Sequence, residues 1–307
     1  MKFLPLEKKE LPLIILAFIA IYVIWGSTYL FNKIVVAQLS PFLIGAVRFT
    51  IAGLIVVVIE RLVPNRVKPT KLQLINTAKA GFFFLTTGNG IAVWALQYID
   101  SGMTALIISA QPLVLLIMMQ VLQGKKIELR SMIGITLGIL GIYLLVSQNS
   151  IAHHPNQWKG FIALFVCLLF WGYGSLFVAD ADLPKNSLVS TGYQMLFGGL
   201  MMIMLSVLLR EDPSDLFILN KQSFWSMVYL IIFGSIAAFT AFNYLLKRVS
   251  PEKVATSTYI NPIIAMILGS LILKEQITSL SILAAGILLS GVYFINSTKR
   301  VKKEGRS

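Results

Sequence analysis

Residues 25–31 of the chain, WGSTYLF, recur in a related form at residues 171–177 as WGYGSLF. Further pairs of segments match in the same order: RFTIAGL (48–54) with QMLFGGL (194–200), AQPLVLLIMMQVLQGKKI (110–127) with INPIIAMILGSLILKEQI (260–277), and GIYLL (141–145) with GVYFI (291–295). Because the order is the same in both halves, the sequence predicts an internal duplication.

Apolar residues are concentrated in long blocks separated by short charged connectors. Of the 307 residues, 57% are hydrophobic and 13% are charged, and the mean hydropathy is +0.80. A helix of about 20 apolar residues spans a bilayer. The sequence therefore predicts an all-α polytopic membrane protein with ten transmembrane helices, at 13–36, 41–60, 74–97, 102–121, 130–147, 159–179, 188–208, 224–246, 253–273 and 279–296.

The distribution of basic residues predicts the topology. With a cytoplasmic N-terminus, the inner segments hold 19 Lys or Arg residues and the outer connectors hold 4. Positive charge collects on the cytoplasmic side, so both termini are predicted to be cytoplasmic, in an inner or plasma membrane. The predicted organisation is a cytoplasmic tail (1–12), a first five-helix repeat (13–147), an extracytoplasmic connector (148–158), a second five-helix repeat (159–296) and a basic cytoplasmic tail (297–307).

The number of helices in each repeat determines the relation between the halves. Five is odd, so the second copy enters the membrane from the opposite face. Two inverted repeats are typical of transporters, whose substrate site lies near mid-depth between them. The sequence therefore predicts a polar site at that depth.

Three basic residues lie within predicted helices. Lys33 and Lys79 are near helix ends, where the side chain can reach the headgroups, so we predict structural roles for them. Arg48 lies about 10 Å inside helix 2 at 1.5 Å per residue. An arginine facing lipid there costs at least about 2.5 kcal/mol, which predicts that Arg48 faces a polar cavity or a substrate.

Polar residues at helical spacing predict the lining of that site. Trp25, Thr28, Tyr29 and Asn32 share one face of helix 1. Similar polar faces occur on helix 3, with Thr86, Asn89 and Gln97, and on helix 8, with Ser235, Phe239 and Asn243. The predicted substrate-binding residues are Trp25, Thr28, Tyr29, Asn32, Arg48, Asn89, Gln111, Trp171, Tyr193, Gln194, Asn243 and Asn261.

Two prolines occupy matched positions in the repeats. Pro112 and Pro262 are near the centres of helices 4 and 9, where proline removes a backbone hydrogen bond and frees carbonyl groups. They follow Gln111 and Asn261, whose side-chain amides are suited to donate hydrogen bonds beside the interrupted helix. We predict hinges at both prolines, the alternative being simple packing kinks.

The charge of the site differs between the halves. Tyr193 and Gln194 occupy the repeat positions of Val47 and Arg48. One arginine opposite a phenol and an amide suits an amphipathic metabolite with a carboxylate or other anion on one side and an apolar or aromatic body on the other.

Several types of chemistry lack their usual residues. The Asp and Glu residues fall in connectors, tails or helix ends, so none is placed as a buried proton relay. No nucleotide-binding motif occurs, and the adjacent His153 and His154 lack a third metal ligand. We predict no cofactor and no metal, and Cys167 is interpreted as a packing residue. The basic residues form no stripe of the kind that binds nucleic acid.

Small residues mark helices 5 and 10. GITLGILG (134–141) and AAGILLSG (284–291) have the spacing of closely packed membrane helices. The pattern fits a contact within the chain or a homodimer, and the sequence does not separate these two.

Four stretches together resemble the EamA family of the drug/metabolite transporter superfamily: IWGSTYLFNK (24–33), SPFLIGAVRFTIAGL (40–54), GNGIAVWALQYIDSGMTALIISAQPL (88–113) and VSPEKVATSTYINPIIAMILGSLILKEQI (249–277). The resemblance implies a ten-helix carrier with cytoplasmic termini and alternating access, in which helices 5 and 10 lie beside a central cavity. The chain departs from the family at Ala95 and Leu96, where some relatives carry an acidic residue, and at GKKI (124–127), whereas the second repeat keeps Glu275.

Three functions remain open from the sequence. The favoured one is a secondary transporter that exports small amphipathic metabolites such as amino acids. An importer of the same carrier class is the alternative, because alternating access is reversible. A membrane enzyme or lipid-handling protein is less favoured, since no nucleophile with acid and base groups lies within the helices. The expected partners are a small-molecule substrate and the lipid bilayer.

Overall fold

The computed structural model describes residues 10–62, 68–124, 129–147, 156–249, 254 and 257–296. This part of the chain is helical and contains no strand. Residues 1–9 and 297–307 of the tails and most of the connector at 148–158, including His153 and His154, lie outside the described residues. The helices are α1 (Leu11–Val36), α2 (Pro41–Arg61), α3 (Lys71–Gly81, Phe82–Asn89 and Gly90–Ala95), α4 (Ser101–Gln123), α5 (Leu129–Val146), α6 (Gln157–Asp180), α7 (Ser187–Leu208), α8 (Lys221–Tyr229, Leu230–Ala237 and Ala238–Arg248), α9 (Ser257–Leu273) and α10 (Ser279–Asn296).

Six of the described helices are long and apolar enough to cross a membrane: α1, α2, α4, α6, α7 and α8. Shorter apolar stretches lie in α5, α9 and α10, at Ser131–Leu145, Ile260–Leu273 and Ser279–Gly291. Large apolar side chains remain exposed along the helices, for example Ile51 and Leu54 of α2. A surface of this kind needs a lipid environment, which agrees with a multi-pass membrane protein.

Local sequence signals explain where several helices begin and end. Thr70 forms a capping box with Gln73 at the start of α3, and Asn186 and Asn220 cap α7 and α8 with their side chains. Side-chain oxygens at these positions satisfy amides that have no partner within the helix. Gly124, with φ 64°, ends α4 in the left-handed conformation that glycine adopts without strain.

The helices pack in a pattern that relates the first half of the chain (α1–α5) to the second half (α6–α10). Helix α2 packs along α7, α4 against α9, and α5 along α10. Helix α1 packs against α8 and α9, as α6 packs against α3 and α4. The contacts of α1 with α8 and α9 therefore have counterparts in those of α6 with α3 and α4.

The small residues of α5 and α10 form a contact within the chain. A Cβ atom added at Gly291 would lie 2.6 Å from the Gly134 carbonyl oxygen and 2.8 Å from the Gly138 nitrogen. One added at Gly141 would lie 2.7 Å from Leu288 Cβ. The glycines thus permit the backbones of α5 and α10 to approach closely. The small-residue pattern of these helices therefore serves a contact within the chain.

Irregular backbone occurs inside three helices. Ala20–Ile24 of α1, Phe82–Asn89 of α3 and Leu230–Ala237 of α8 are π-helical. The last two occupy corresponding positions in the two halves.

The two prolines lie in different surroundings. Helix α4 is interrupted after Ile108, and its second part starts at Gln111 with Pro112 in the first turn. In contrast, Pro262 lies inside an uninterrupted α9. The two prolines therefore have different local structures.

Candidate functional site

Arg48 is a buried cation between α1, α2 and α8. Only 3% of its surface is exposed. Its Nε donates to Ser235 Oγ over 2.7 Å, and its Nη1 lies 3.5 Å from Asn32 Oδ1, a weak contact. The guanidinium also lies 4.7 Å from the centre of the Phe49 ring. Arg48 is thus buried next to two polar side chains, and its contact with a cavity or a substrate stays a prediction.

The positive charge of Arg48 has no carboxylate partner among the described residues: no Asp or Glu there forms an ion pair with it. A buried charge is unfavourable unless it is paired and hydrogen-bonded. The guanidinium therefore has unused capacity for an anion, because two neutral acceptors satisfy only part of its five donors.

The π-helical segment of α8 shapes the space around this cation. It places Gly234 against the guanidinium and Ser235 beside Nε. A Cβ atom at Gly234 would lie 3.0 Å from Arg48 Nη2 and 2.9 Å from Thr28 Cγ2. π-Helical segments interrupt the regular hydrogen-bond pattern of an α-helix and are frequent at functional sites.

Four aromatic rings from both halves meet about one helical turn from Thr28. Trp25 of α1 and Trp171 of α6 lie edge to face with 6.3 Å between ring centres. Phe242 of α8 lies 5.0 Å from Trp25 and 6.4 Å from Trp171, and Phe84 of α3 lies 5.1 Å from Trp171. We call Trp25, Phe84, Trp171 and Phe242 the aromatic cluster. Its members include both tryptophans of the repeated WG motif.

Helix α1 connects the aromatic cluster to Arg48. Thr28 Oγ1 donates to the Trp25 carbonyl over 2.7 Å, and its methyl faces Gly234. Asn32, one turn farther, contacts Arg48. Tyr29 is half-buried and lies near Cys167 of α6. The stripe predicted on helix 1 thus joins an apolar and a cationic region.

Close helix crossings occur at the glycine of each WG motif. A Cβ atom at Gly26 would lie 2.8 Å from Ile264 Cβ and 3.2 Å from the Asn261 carbonyl oxygen. At Gly172 it would lie 2.7 Å from Met118 Sδ. The glycines therefore bring α1 against α9 and α6 against α4, next to the prolines.

The amides that precede the prolines have different environments. With the amide of Asn261 oriented by its neighbours, its nitrogen donates to the carbonyls of Tyr22 (2.9 Å) and Ile21 (3.2 Å), at the π-helical segment of α1. The Gln111 Nε2 group is buried and has no hydrogen-bond partner among the described residues. Asn261 thus joins α1 to α9, while Gln111 keeps free donors beside Gly172.

We call Arg48 and the residues around it, Thr28, Asn32, Gly234 and Ser235, the Arg48 group. Four other predicted residues lie outside it. Asn243 Nδ2 donates to the Phe239 carbonyl of its own helix over 3.0 Å, and Asn89 has a buried oxygen without a partner. Gln194 is fully buried and donates to Ser190 Oγ over 3.0 Å. Tyr193 stacks on Phe197 with 6.0 Å between ring centres.

A polar cleft of about 660 Å³ opens at the end of the bundle where α1 and α3 end and α2 and α4 begin. We call this the cleft end. Its lining includes Lys33, Asp100, Asn220, Lys274 and Glu275. Lys33 follows Asn32 directly, so the cleft lies next to the Arg48 group along α1.

Lys33 has a different role from the predicted one. Its Nζ donates to the carbonyls of Leu96 (2.6 Å) and Ile99 (2.9 Å) and so binds the end of α3 instead of extending to headgroups.

Three residues near the site were not predicted from the sequence: Phe84, Phe242 and Gly234. The phenylalanines lack a repeated motif, and the importance of Gly234 becomes visible only when α1, α2 and α8 are packed together.

Comparison with known proteins assigns the family. The sequence model of the EamA-like transporter family matches residues 12–147 and again residues 158–297. The chain belongs to the EamA family. Each half of this EamA protein therefore corresponds to one family unit, and the resemblance inferred from the motifs is confirmed.

Several relatives are named as transporters. The chain is 30% identical to the uncharacterized inner membrane transporter YedA of Escherichia coli (strain K12), covering 92% of this chain and 90% of that one. It is 20% identical to the uncharacterized transporter YoaV of Bacillus subtilis (91% and 95% covered) and 25% identical to protein PecM of Dickeya dadantii (89% and 86%). A crystal structure with 18% identity superposes with a TM-score of 0.65, covering 92% of this chain and 96% of that one, which shows a shared fold.

Proposed function

We propose that this EamA protein is a secondary transporter that exports small amphipathic metabolites such as amino acids by alternating access. The observation that carries the proposal is Arg48, a buried cation without an ion pair among the described residues. Helix α1 connects it, through Asn32 and Thr28, to an aromatic cluster built by both halves. A substrate carboxylate would pair with the guanidinium and an apolar or aromatic side chain would contact the rings.

The proposed architecture is ten membrane helices in two inverted five-helix repeats. It is supported by the helix contacts, because α2–α7, α4–α9 and α5–α10 each pair a helix with its own counterpart. A two-fold axis requires such self-pairing near the axis, as well as matched contacts such as α1–α8 and α6–α3. A repeat structure of this kind gives two related arrangements, one open to each side.

The site is asymmetric, which fixes the orientation of the proposed substrate. Gln194 occupies the repeat position of Arg48 and carries no charge, and it bonds to Ser190 within α7. The anionic group of the substrate is therefore placed at Arg48, on the side of the cleft end. The apolar part extends toward Trp25 and Trp171.

The cleft end is assigned to the outside of the cell. The basic connectors predicted to be cytoplasmic follow α2, α4 and α8, at the opposite end of the bundle. Asymmetry of positive charge orients membrane proteins in this way. Both termini are then cytoplasmic.

Proteoliposome flux tests the proposal. The purified protein is assayed with a panel of amino acids that includes phenylalanine, leucine and glutamate. We expect saturable flux that Arg48→Ala and Trp25→Ala each reduce, since they remove the anion partner and an aromatic contact. The matched controls are Arg61→Ala and Trp158→Ala, which alter exposed residues of the same types.

Flux that neither site substitution changes would refute the site. Counterflow in right-side-out and inside-out vesicles then measures whether the imposed gradient drives export or import. Absence of flux for the whole panel in folded protein would refute the proposed substrate class.

A further inference from the structure

Glu275, in the connector between α9 and α10, binds the start of α4 in the other half of the chain. Its Oε1 accepts the Ser101 amide over 2.8 Å, and its Oε2 accepts the Ser101 hydroxyl over 2.8 Å and the Gly102 amide over 3.2 Å. A carboxylate at a helix N-terminus satisfies orphan amides and opposes the positive end of the helix dipole. One side chain thus makes three contacts across the halves.

Glu211, after α7, does the same at the start of α2. Its Oε1 accepts the Phe42 amide over 3.2 Å and its Oε2 accepts the Leu43 amide over 2.7 Å. Both carboxylates belong to the second half, and both bind helix N-termini of the first half. Both contacts lie at the cleft end.

Lys33 holds the other side of the turn that Glu275 binds. The turn from Leu96 to Asp100 joins the end of α3 to the start of α4. Lys33 binds its carbonyls, at the negative end of α3, while Glu275 binds the amides that follow, at the positive end of α4. The turn is held from both halves by charges of the appropriate sign.

At the opposite end of the bundle, amide side chains of α3 bind Asp182 of the second half. There the exposed Gln73 Nε2 donates to Asp182 Oδ1 over 3.1 Å, and Asn76 Nδ2 donates to the Asp182 carbonyl over 3.0 Å. The repeat position of Glu275 is Lys125 in the sequence, a residue outside the described segments. The described contacts thus differ in kind: carboxylates on helix N-termini at the cleft end, and amide side chains on Asp182 at the other.

We propose that Glu211 and Glu275 form a latch that holds the two halves together at the cleft end, and that breaking their bonds to α2 and α4 opens the path from the cleft to Asn32 and Arg48. This inference rests on the proposed alternating access. It goes beyond it because it identifies the contacts that hold one side shut.

The amides that the two glutamates bind are held rigidly, so their bonds join the two halves directly. The amides of Phe42, Leu43, Ser101 and Gly102 are fixed to the first turns of α2 and α4. Separation of α2 and α4 from the connectors that carry Glu211 and Glu275 therefore breaks these bonds. Replacement of each glutamate by glutamine keeps the size of the side chain but removes the charge that strengthens these bonds.

Cysteine labelling tests the latch without any substrate. In a Cys167→Ser background, Thr28→Cys provides a thiol whose parent residue is 8% exposed beside the Arg48 group. A membrane-impermeant maleimide is added at the outer face of right-side-out vesicles. We expect Glu211→Gln and Glu275→Gln each to raise the labelling rate about threefold or more, because the rate follows the population of the open state.

Asp182→Asn is the matched control, since it removes a carboxylate bond between the halves at the opposite end. It should leave outer labelling at the parent rate or below. Ser101→Ala is a milder variant that removes one of the three donors to Glu275 and keeps both amides. It should raise the rate by less than Glu275→Gln does.

Parent-rate labelling of the folded Glu211→Gln/Glu275→Gln double variant would overturn the latch, and so would an equal increase in Asp182→Asn. If a glutamine variant does not fold, Ser101→Ala decides the outcome, because no rise above the parent rate would also overturn the proposal. Raised labelling without amino-acid flux would refute only the substrate proposal, whereas flux with parent-rate labelling in the glutamine variants would refute only the latch.

Discussion

Arg48 Nε donates to Ser235 Oγ over 2.7 Å, so the buried cation of the first half is held by the π-helical segment of the second. The two residues are 187 positions apart in the chain. This bond orients the guanidinium and leaves its Nη groups, weakly contacted by Asn32, for an anion. The site therefore depends on how α2 and α8 are packed.

Removal of the cation should separate binding from stability. Arg48→Met deletes a buried charge that no described carboxylate pairs, so the melting temperature should be unchanged or higher. Flux should fall by about tenfold or more, equivalent to about 1.4 kcal/mol of lost binding. Unfolding can be followed with a maleimide dye that reacts with Cys167, which is the single cysteine of the chain and is 3% exposed.

Ser235→Ala, in contrast, should destabilise the protein. The cation then stays buried without its closest acceptor, and loss of a hydrogen bond to a charged group costs about 1.5–3 kcal/mol. The same dye assay should give a lower melting temperature than the parent. A melting temperature that falls more in Arg48→Met than in Ser235→Ala would contradict the assignment of an unpaired charge.

The aromatic cluster should determine affinity for aromatic substrates. Trp25→Ala and Trp171→Ala should each raise KM for phenylalanine about two- to tenfold, because an aromatic contact contributes about 0.5–1.5 kcal/mol. Trp158→Ala and Trp225→Ala are the controls, since both tryptophans are 59% exposed. Equal effects in all four variants would show that the cluster is not a binding surface.

The contact between α5 and α10 should tolerate no added carbon at Gly291. Gly291→Ala places a methyl 2.6 Å from the Gly134 carbonyl oxygen, and overpacking of this kind costs about 1–3 kcal/mol. Gly286→Ala on the same helix meets nothing within 4 Å and should be neutral or stabilising. Melting temperatures from the dye assay compare the two, and equal values would argue against the tight crossing.

Lys33 should contribute to stability through the end of α3. Lys33→Met removes the donor to the Leu96 and Ile99 carbonyls and should cost about 1.5–3 kcal/mol. Lys79→Met is the control, because Lys79 is exposed and its ammonium lies 6.0 Å from the centre of the Phe177 ring. An equally small effect of both substitutions would restore the interpretation of Lys33 as a residue that extends to the headgroups.

The sequence by itself determined the class of the protein, its duplication and its family. Apolar blocks of membrane length and the repeated WG motif are local patterns, and the twofold match to the EamA family agrees with them. The isolated charge of Arg48 was also visible, since the cost of a lipid-facing arginine requires polar surroundings. Helix periodicity further placed Trp25, Thr28 and Asn32 on one face.

Only the tertiary structure decided which groups meet on that face. It joined Arg48 to Ser235, directed the Asn261 amide to the carbonyls of α1, and placed Lys33 and Glu275 on two sides of one turn. Periodicity tells which way a side chain points but not what it touches. Its partner comes from another helix, at a distance along the chain that only the packing of the whole bundle determines.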